Sequence, residues 1–244
     1  MDQVFLSIVI PAYNEEARIS ATLERVISYL GGRSYSWEVL VADDGSTDGT
    51  ASLVSQMAAT QPNLRLISLD HRGKGWAVKN AMLAAQGEYR ILCDADLSVP
   101  IEQVERLLPP EVEGVDIALG SRAVKSAQRI GEPSRRHLMG RIYNALVRTI
   151  AVGGIQDTQC GFKCYRGEVV PSLFQRQTMD GFAFDVEVLF LAGKDGLTLR
   201  EIPVDWYYRE NSKVRAFRDS MAMTLDLLRI RWRNLRGRYR HQTS

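Results

Sequence analysis

Cysteine is scarce. Cys93, Cys160 and Cys164 are the only three in 244 residues, an odd number that cannot all pair and too few for a fold built on disulfides. A reducing, cytosolic setting suits such a chain. Cys160 and Cys164 have no second Cys or His pair close by, so zinc is set aside in favour of buried or incidental thiols. Also missing is any run of about 18 apolar residues, the length a spanning helix needs. The chain is therefore not expected to cross a bilayer, although it can lie on one. Met1-Asp2-Gln3-Val4 has no basic segment leading into an apolar signal core, and Pro11 and Asn14 interrupt the first apolar run, which argues against secretion. Charge of one sign is lacking as well. The 31 Lys and Arg against 29 Asp and Glu leave a net charge of +2, which gives no global reason to expect nucleic acid. There is no internal repeat, low-complexity segment or obvious interdomain linker.

What remains is ordinary folded-protein material, 45% hydrophobic and 25% charged, arranged as short β-branched runs alternating with amphipathic stretches. Strands are expected at Leu6-Ile10, Glu38-Ala42, Leu64-Leu69, Tyr89-Cys93 and Asp116-Leu119. Helices are expected at Glu15-Leu30, Thr47-Ala59, Gly75-Ala85 and Ile101-Leu108, each ending near Gly, Pro or a polar cluster. This alternation predicts an α/β fold with a mainly parallel central sheet flanked by helices. The second half is less regular. It has an amphipathic stretch at Arg135-Ile150, a polar connection at Gly153-Gly161, a helix at Phe184-Gly193 and a strand-like alternation at Leu199-Tyr207. The simplest division is one domain over 1–213 and a basic amphipathic helix and tail over 214–244.

Ligands in open α/β sheets bind beyond the carboxyl ends of the strands, and that is where the polar clusters fall. Pro11-Ala12-Tyr13-Asn14-Glu15 follows the first strand, Asp43-Asp44-Gly45-Ser46-Thr47-Asp48 the second, and Asp94-Ala95-Asp96 the fourth. Each cluster has a plain explanation, since Asn14, Ser46 or Thr47 can cap helices and Asp forms turns. Three at successive strand ends favour a shared pocket. Asp94 and Asp96 can reach one divalent ion together, leaving other positions open for phosphate oxygens.

Taken together, Ser7-Ile8-Val9-Ile10-Pro11-Ala12-Tyr13-Asn14-Glu15, Val41-Ala42-Asp43-Asp44-Gly45-Ser46-Thr47-Asp48-Gly49-Thr50 and Asp94-Ala95-Asp96, in that order, resemble family 2 glycosyltransferases. The resemblance implies a GT-A fold, a nucleotide diphosphate sugar donor, Mg2+ or Mn2+, and inversion at the anomeric carbon. It places Pro11, Ala12, Tyr13, Asn14, Glu15 and Asp43 around the base and ribose, with Asp44 shaping the same turn. Asp94, Ala95 and Asp96 would meet the metal and diphosphate, Asp94 and Asp96 as its ligands. Lys74, in His71-Arg72-Gly73-Lys74-Gly75, lies in the loop that closes over the nucleotide in that family; alternatively it is a solvated lysine at a strand-to-helix turn.

In the second half, Gly120-Ser121-Arg122, Asp157-Thr158-Gln159-Cys160-Gly161-Phe162-Lys163 and Phe184-Asp185-Val186-Glu187 are similar to the enzymes that make dolichyl-phosphate glucose and dolichyl-phosphate mannose, the Asp157-Lys163 string most of all to the glucosyl branch. The resemblance implies a polyprenyl phosphate acceptor, with UDP-glucose the first donor to consider and GDP-mannose the second. A phosphate monoester is already anionic at neutral pH, so it needs cations rather than a general base. Arg122, Lys163, Arg209 and Lys213 are the candidates to hold it, although surface cations are often only solvated. A hydroxyl acceptor would instead require a carboxylate base, and Asp157 is the candidate for that. Otherwise Asp157 orients Lys163 or a neighbouring turn. A catalytically inactive nucleotide-sugar-binding or membrane-docking module is the reading from outside the enzymes.

A lipid acceptor would bring the protein to the cytoplasmic face of a membrane. Leu138, Ile142, Leu146 and Ile150 form one apolar stripe, and Phe217, Met221, Leu225, Leu228, Trp232 and Leu235 another. Arg229, Arg231, Arg233, Arg236, Arg238 and Arg240 follow with no Asp or Glu among them. Such a helix suits the headgroup layer of an anionic membrane, and it also suits packing on its own domain or self-association. Nucleic acid is not expected, since no RNA-binding motif accompanies the arginines.

Overall fold

The β-branched and leucine-rich runs do become strands. The computed structural model describes residues 3–133, 147, 152–209 and 216–239, with backbone alone for 216–224. Four parallel strands come first: β1 (Leu6–Ala12), β2 (Trp37–Asp44), β3 (Leu64–Leu69) and β4 (Tyr89–Cys93). They are connected by α1 (Ile19–Gly31), α2 (Thr50–Ala58) and α3 (Lys74–Ala84). A 3-10 helix, Ile101–Leu107, then leads to β5 (Ile117–Ser121) and β6 (Gln128–Ile130). The second half supplies β7 (Phe162–Arg166), α4 (Val170–Phe174), α5 (Phe184–Lys194), β8 (Leu199–Pro203), β9 (Asp205–Tyr207) and α6 (Ala216–Leu235).

The main sheet runs β3-β2-β1-β4-β7-β5-β8, while β6 and β9 form a separate two-stranded ribbon. β1 lies between β2 and β4, so the chain grows outward from β1 on one side and then crosses to the other. The loops after β1 and β4 therefore splay apart and leave a crevice, the usual ligand site of open α/β sheets. Both sheet faces are apolar, Val9, Leu40 and Leu92 packing with α3 on one and Ile8, Ile10, Val39 and Val41 with α1 on the other. This is why the strands read as continuous apolar runs.

Three sequence expectations change, and one strand is new. β7, which follows the polar connection Gly153-Gly161 and has no counterpart among the expected strands, runs antiparallel between β4 and β5, pairing Leu92 with Lys163 on one side and Leu119 with Lys163 on the other. α1 starts at Ile19, not Glu15, because amides at its expected start are taken by side chains from the next loop: Asn14 N donates to Ser46 Oγ (2.8 Å) and Glu15 N to Thr50 Oγ1 (2.7 Å). The expected helix 101–108 is a 3-10 helix. The alternation at 199–207 divides into β8 and β9 in different sheets, with the break at Pro203 and Val204, where proline contributes no ladder N–H. The expected helix at 184–193 forms as α5. The amphipathic stretch at 135–150, with all of its stripe Leu138, Ile142, Leu146 and Ile150, lies outside the described residues except for buried Val147, which is not of the stripe.

α6 has two apolar faces. Leu227 and Ile230 are fully buried in the core beside α5, whereas Leu225, Leu228, Trp232 and Leu235 are exposed, Leu235 at 85%. The described part of the predicted stripe is thus the outward face, not the one that packs on the domain. Among the described residues no helix is long and apolar enough to cross a membrane.

Candidate active site

The crevice is lined by loops that hold one another. Asn14, in the left-handed region at φ 52°, which Asn tolerates, accepts from Thr47 N through Oδ1 (2.8 Å). Gly49 N donates to Glu16 Oε2 (3.1 Å) and Glu16 N to Asp48 Oδ2 (3.2 Å), while Glu15 pairs with Arg18 (2.8 Å). Pro11, Tyr13, Asn14 and Glu15 remain half-buried at this rim, and Ala12 is buried beneath them. Asp43 is buried and accepts from Ser46 N (3.1 Å) and Ser46 Oγ, so it braces its own turn. Asp44 is buried too and shapes the 71–73 loop, accepting from Arg72 N (3.0 Å) and Gly73 N (2.9 Å) and facing His71 Nδ1 (2.8 Å). His71, which sequence reasoning passed over, stacks on Tyr13 with ring centroids 4.1 Å apart and 16° between planes.

Because β7 is antiparallel, its first residue meets the last of β4, Phe162 opposite Cys93. That register delivers the 157–161 loop to the strand ends that carry Asp94 and Arg122. Asp94 is a third exposed and accepts from Lys74 Nζ at 2.6 Å. Burial works against the Lys74 charge, but Asp94, Asp185 and Asp96 outweigh it and raise the ammonium above its ordinary range. Asp96 accepts from Ser98 N (2.9 Å), and Leu97 N closes the turn onto Asp94 O (3.1 Å), with Leu97 held at φ 45°. A leucine in that region is strained, a cost that recurs at functional sites. Buried Ala95 receives only a backbone role, its carbonyl accepting from Thr22 Oγ1 (2.7 Å).

Arg122 and Asp157 form a buried fork. Nε and Nη2 of Arg122 donate to Asp157 Oδ2 (2.7 Å) and Oδ1 (2.8 Å), and Arg122 N adds a third bond to Oδ2 (2.9 Å). Burial alone would raise the fully buried Asp157 carboxyl, but the Arg122 charge and hydrogen bonds hold it well below the usual carboxylate range. The guanidinium also sits 5.5 Å from the Trp206 ring centroid, a partner the sequence did not announce. Of the two expected alternatives, Asp157 does brace a neighbouring turn, accepting from Gln159 N (3.3 Å), but the side chain it orients is Arg122 and not Lys163. A carboxylate so stabilised is a weak base, which counts against the hydroxyl-acceptor role.

Lys163 is a second correction. Its ammonium is fully buried and donates to Asp185 Oδ1 (2.7 Å) and Cys160 O (2.6 Å), so it is part of the core beneath the site and not a cation open to an acceptor. Burial pushes the Asp185 carboxyl up, with Lys163 and then Lys74 pulling the other way. Arg209 is exposed just beyond β9, and Lys213 lies outside the described residues. The three cysteines are buried free thiols, Cys160 pushed up to about 12 by burial, which leaves them unreactive.

Among the described residues no cluster of three or more His, Cys, Asp or Glu could enclose a metal by itself. The donor set present still fits a hard divalent cation that shares its shell with phosphate oxygens, because Asp94 and Asp96 are oxygen ligands at an open strand end. Gly161 gives the clearest sign of a made space: a Cβ there would lie 2.0 Å from Asp94 Oδ2. Gly161→Ala should therefore displace the Asp94 carboxylate and lower turnover roughly 100-fold, measured as kcat/KM for donor over a Mn2+ titration. Unchanged kcat/KM at every Mn2+ concentration would refute that.

Comparison with known proteins accounts for this layout. The sequence profile of Glycosyl transferase family 2 matches residues 7–174, from β1 through α4. A dolichyl-phosphate beta-glucosyltransferase of Dictyostelium discoideum is 36% identical, over 97% of this chain and 77% of that protein. The chain belongs to glycosyl transferase family 2. Other relatives of this family 2 enzyme are the dolichyl-phosphate beta-glucosyltransferases of Saccharomyces cerevisiae, 35% identical over 98% of this chain and 78% of that one, and of Homo sapiens, 36% over 96% and 77%. Among solved structures, mannosyl-3-phosphoglycerate synthase from Rubrobacter xylanophilus superposes with a TM-score of 0.71 at 22% identity, over 98% of this chain and 76% of that one. Glucosyl-3-phosphoglycerate synthase from Mycobacterium tuberculosis, in complex with Mn2+, UDP and glucosyl-3-phosphoglycerate, gives 0.67 at 22%, over 97% and 80%. The fold of this family 2 glycosyltransferase is GT-A.

Proposed function

We propose that this glycosyltransferase moves glucose from UDP-glucose to a dolichyl-type polyprenyl phosphate, inverting the anomeric carbon, at the cytoplasmic face of a membrane. The observation that carries the reading is the Arg122–Asp157 fork at the same rim as Asp94 and Asp96: the acceptor side offers a fixed cation whose carboxylate partner is too stabilised to act as base. A phosphate monoester suits that arrangement, since its oxygen needs no deprotonation. The names of the relatives agree with it. One acceptor phosphate oxygen bonds to the anomeric carbon as the bond from that carbon to the diphosphate oxygen breaks, and the electron pair leaves with UDP. Asp94 and Asp96 would hold Mg2+ or Mn2+, which would supply positive charge for the diphosphate leaving group. Lys74 lies 2.6 Å from Asp94 and adds a second positive charge beside it, while the loops of Tyr13 and His71 border the nucleotide. Arg122 holds the acceptor phosphate through the donors it does not spend on Asp157, with Arg209 and Lys213 as further cations. Lys163 is not among them.

A donor panel separates the readings. UDP-glucose and GDP-mannose are supplied with polyprenyl phosphate or with simple sugars, in Mg2+ or Mn2+, and the released nucleoside diphosphate is measured. UDP release with label entering the lipid phase is expected. Label entering only the water-soluble pool would reject the lipid acceptor.

Residues 1–213 would form most of the catalytic body, which α6 completes by burying Leu227 and Ile230, and the outward face of α6 would be the surface-docking part of 214–244. The exposed face of α6, Leu225, Leu228, Trp232 and Leu235, lies beside Arg229, Arg236 and Arg238, a composition that suits an anionic interface. Trp232→Ala should weaken binding to phosphatidylserine vesicles about tenfold, the loss of about 1.5 kcal/mol of apolar burial, measured by co-sedimentation. Equal sedimentation of both proteins would remove α6 from the docking role.

A further inference from the structure

The last described residue is anchored at the donor site's support. α6 ends at Leu235, and Gly237, at φ 75°, turns the chain back as such glycines commonly do after helices. Tyr239 then returns against α5. It is fully buried, its ring centroid lies 6.1 Å from that of Phe190, and its carbonyl accepts from Lys194 Nζ (3.3 Å) and Arg176 Nη1 (3.4 Å). Its hydroxyl donates to Glu187 Oε1. Burial, followed by the Glu187 charge, pushes the phenol above its ordinary range, so it remains a donor.

Glu187 is fully buried, and among the described residues its carboxylate accepts hydrogen bonds from Tyr239 and from one short loop. Thr178 N and Met179 N each donate to Oε2 at 2.8 Å, and Thr178 Oγ1 donates to Oε1. Arg233 of α6 reaches Thr178 Oγ1 as well. This loop is the seat of the Lys74 segment. Trp76 N donates to Asp180 O (3.1 Å), Gln177 Nε2 to Gly75 O (2.8 Å), and the Arg72 guanidinium pairs with Asp180 (2.6 Å). The fit is close enough that a Cβ on Gly73 would lie 2.6 Å from Asp180 O, and one on Gly75 2.5 Å from Met179 O. Lys74 stands between those two glycines with its ammonium on Asp94.

We infer that Tyr239 and Glu187 are positioning residues for the donor site: the chain that follows α6 fixes the 177–181 loop through Glu187, and that loop fixes where Lys74 meets Asp94 and the donor diphosphate. The inference rests on reading this crevice as the nucleotide-sugar site. A chain of contacts does not by itself demonstrate energetic coupling, so the test is a double-mutant cycle.

UDP binding in the presence of Mn2+ is measured by calorimetry, and donor KM and kcat by UDP release, for the wild-type full chain, Tyr239→Phe, Lys74→Ala and the double variant. Phenylalanine retains the ring packing on Phe190, so the thermal midpoint should stay close to wild type. UDP affinity should fall and donor KM rise roughly tenfold, the scale seen when partners of ligating groups are removed, with kcat changing less. In the Lys74→Ala background the same substitution should have little further effect. Wild-type UDP affinity in Tyr239→Phe, or losses in the two single variants that simply add, would overturn the inference. If Tyr239→Phe does not fold, Thr178→Val breaks the same junction from the loop side and must show the same dependence on Lys74. A wild-type protein that binds no UDP with Mn2+ would sink the donor-site reading, and this inference with it. Binding that is intact and indifferent to Tyr239 would sink this inference alone.

Discussion

Asp96→Asn is expected to lower kcat/KM about 10³-fold while the protein stays folded, the equivalent of roughly 4 kcal/mol of transition-state charge stabilisation. The substitution is chosen for what it leaves in place. Asparagine still offers an oxygen to Ser98 N, which Asp96 now accepts at 2.9 Å, so the turn after β4 retains its bond and only the charge is removed. The thermal midpoint should therefore stay within a few degrees of wild type. Asp94→Asn should show a comparable loss of activity, and it also removes the charge beside Lys74. Steady-state kinetics over a Mn2+ titration measures the effect. Near-normal turnover by Asp96→Asn in metal-depleted buffer would remove the metal from the mechanism.

Asp157→Asn should produce the largest loss of stability of any single exchange at the site, about 3–5 kcal/mol, because it strands a guanidinium that is largely buried beside a fully buried partner. Against a typical total stability of about 5–15 kcal/mol, that is a large shift in a urea midpoint. The pH dependence follows from the sign of the shift. Asp157 has a depressed folded-state pKa, so its contribution is fully present above the ordinary carboxylate range near 4 and disappears as pH falls through the lower folded value. The stability gap between wild type and Asp157→Asn should be flat from about pH 5 upward and should narrow in acid. A gap that is flat down to pH 2, or a stable variant that has lost only activity with hydroxyl acceptors, would return Asp157 to the role of general base.

The donor half was legible because its signals are local. β-branched runs gave β1 to β4 within a residue or two at most ends, and the clusters at their carboxyl ends mark the crevice. The acceptor half depends on partners far apart in sequence. Lys163 reads as a cation for the acceptor, and it is Asp185, across the core, together with Cys160 O that makes it a buried residue of β7. The same holds for Arg122, whose fork partner is Asp157 and whose ring neighbour is Trp206. His71 was in view as part of a loop, but nothing in its spacing announces a stack on Tyr13. The arginines from Arg229 onward read as a one-sided basic run. In the fold Arg229 pairs with Asp226, Arg231 lies 5.5 Å from the Phe190 centroid and Arg236 3.8 Å from that of Trp232.

The placement of β7 also sets a timetable for the chain as it leaves the ribosome. β1 to β4 are contiguous in the sheet and only the outer edge of β4 waits for β7, so a parallel four-stranded unit can assemble once residue 93 has emerged. β5 has no such opportunity. Its two neighbours are β7 and β8, and neither exists until residues 166 and 203 have been made. From the completion of β5 at Ser121, just before Arg122, until β7 begins at Phe162, that strand has both edges unpaired, the condition most prone to wrong pairing. Chains arrested shortly before residue 162 should be the ones that recruit chaperones, whereas those arrested beyond residue 203 should already resist protease across the whole sheet.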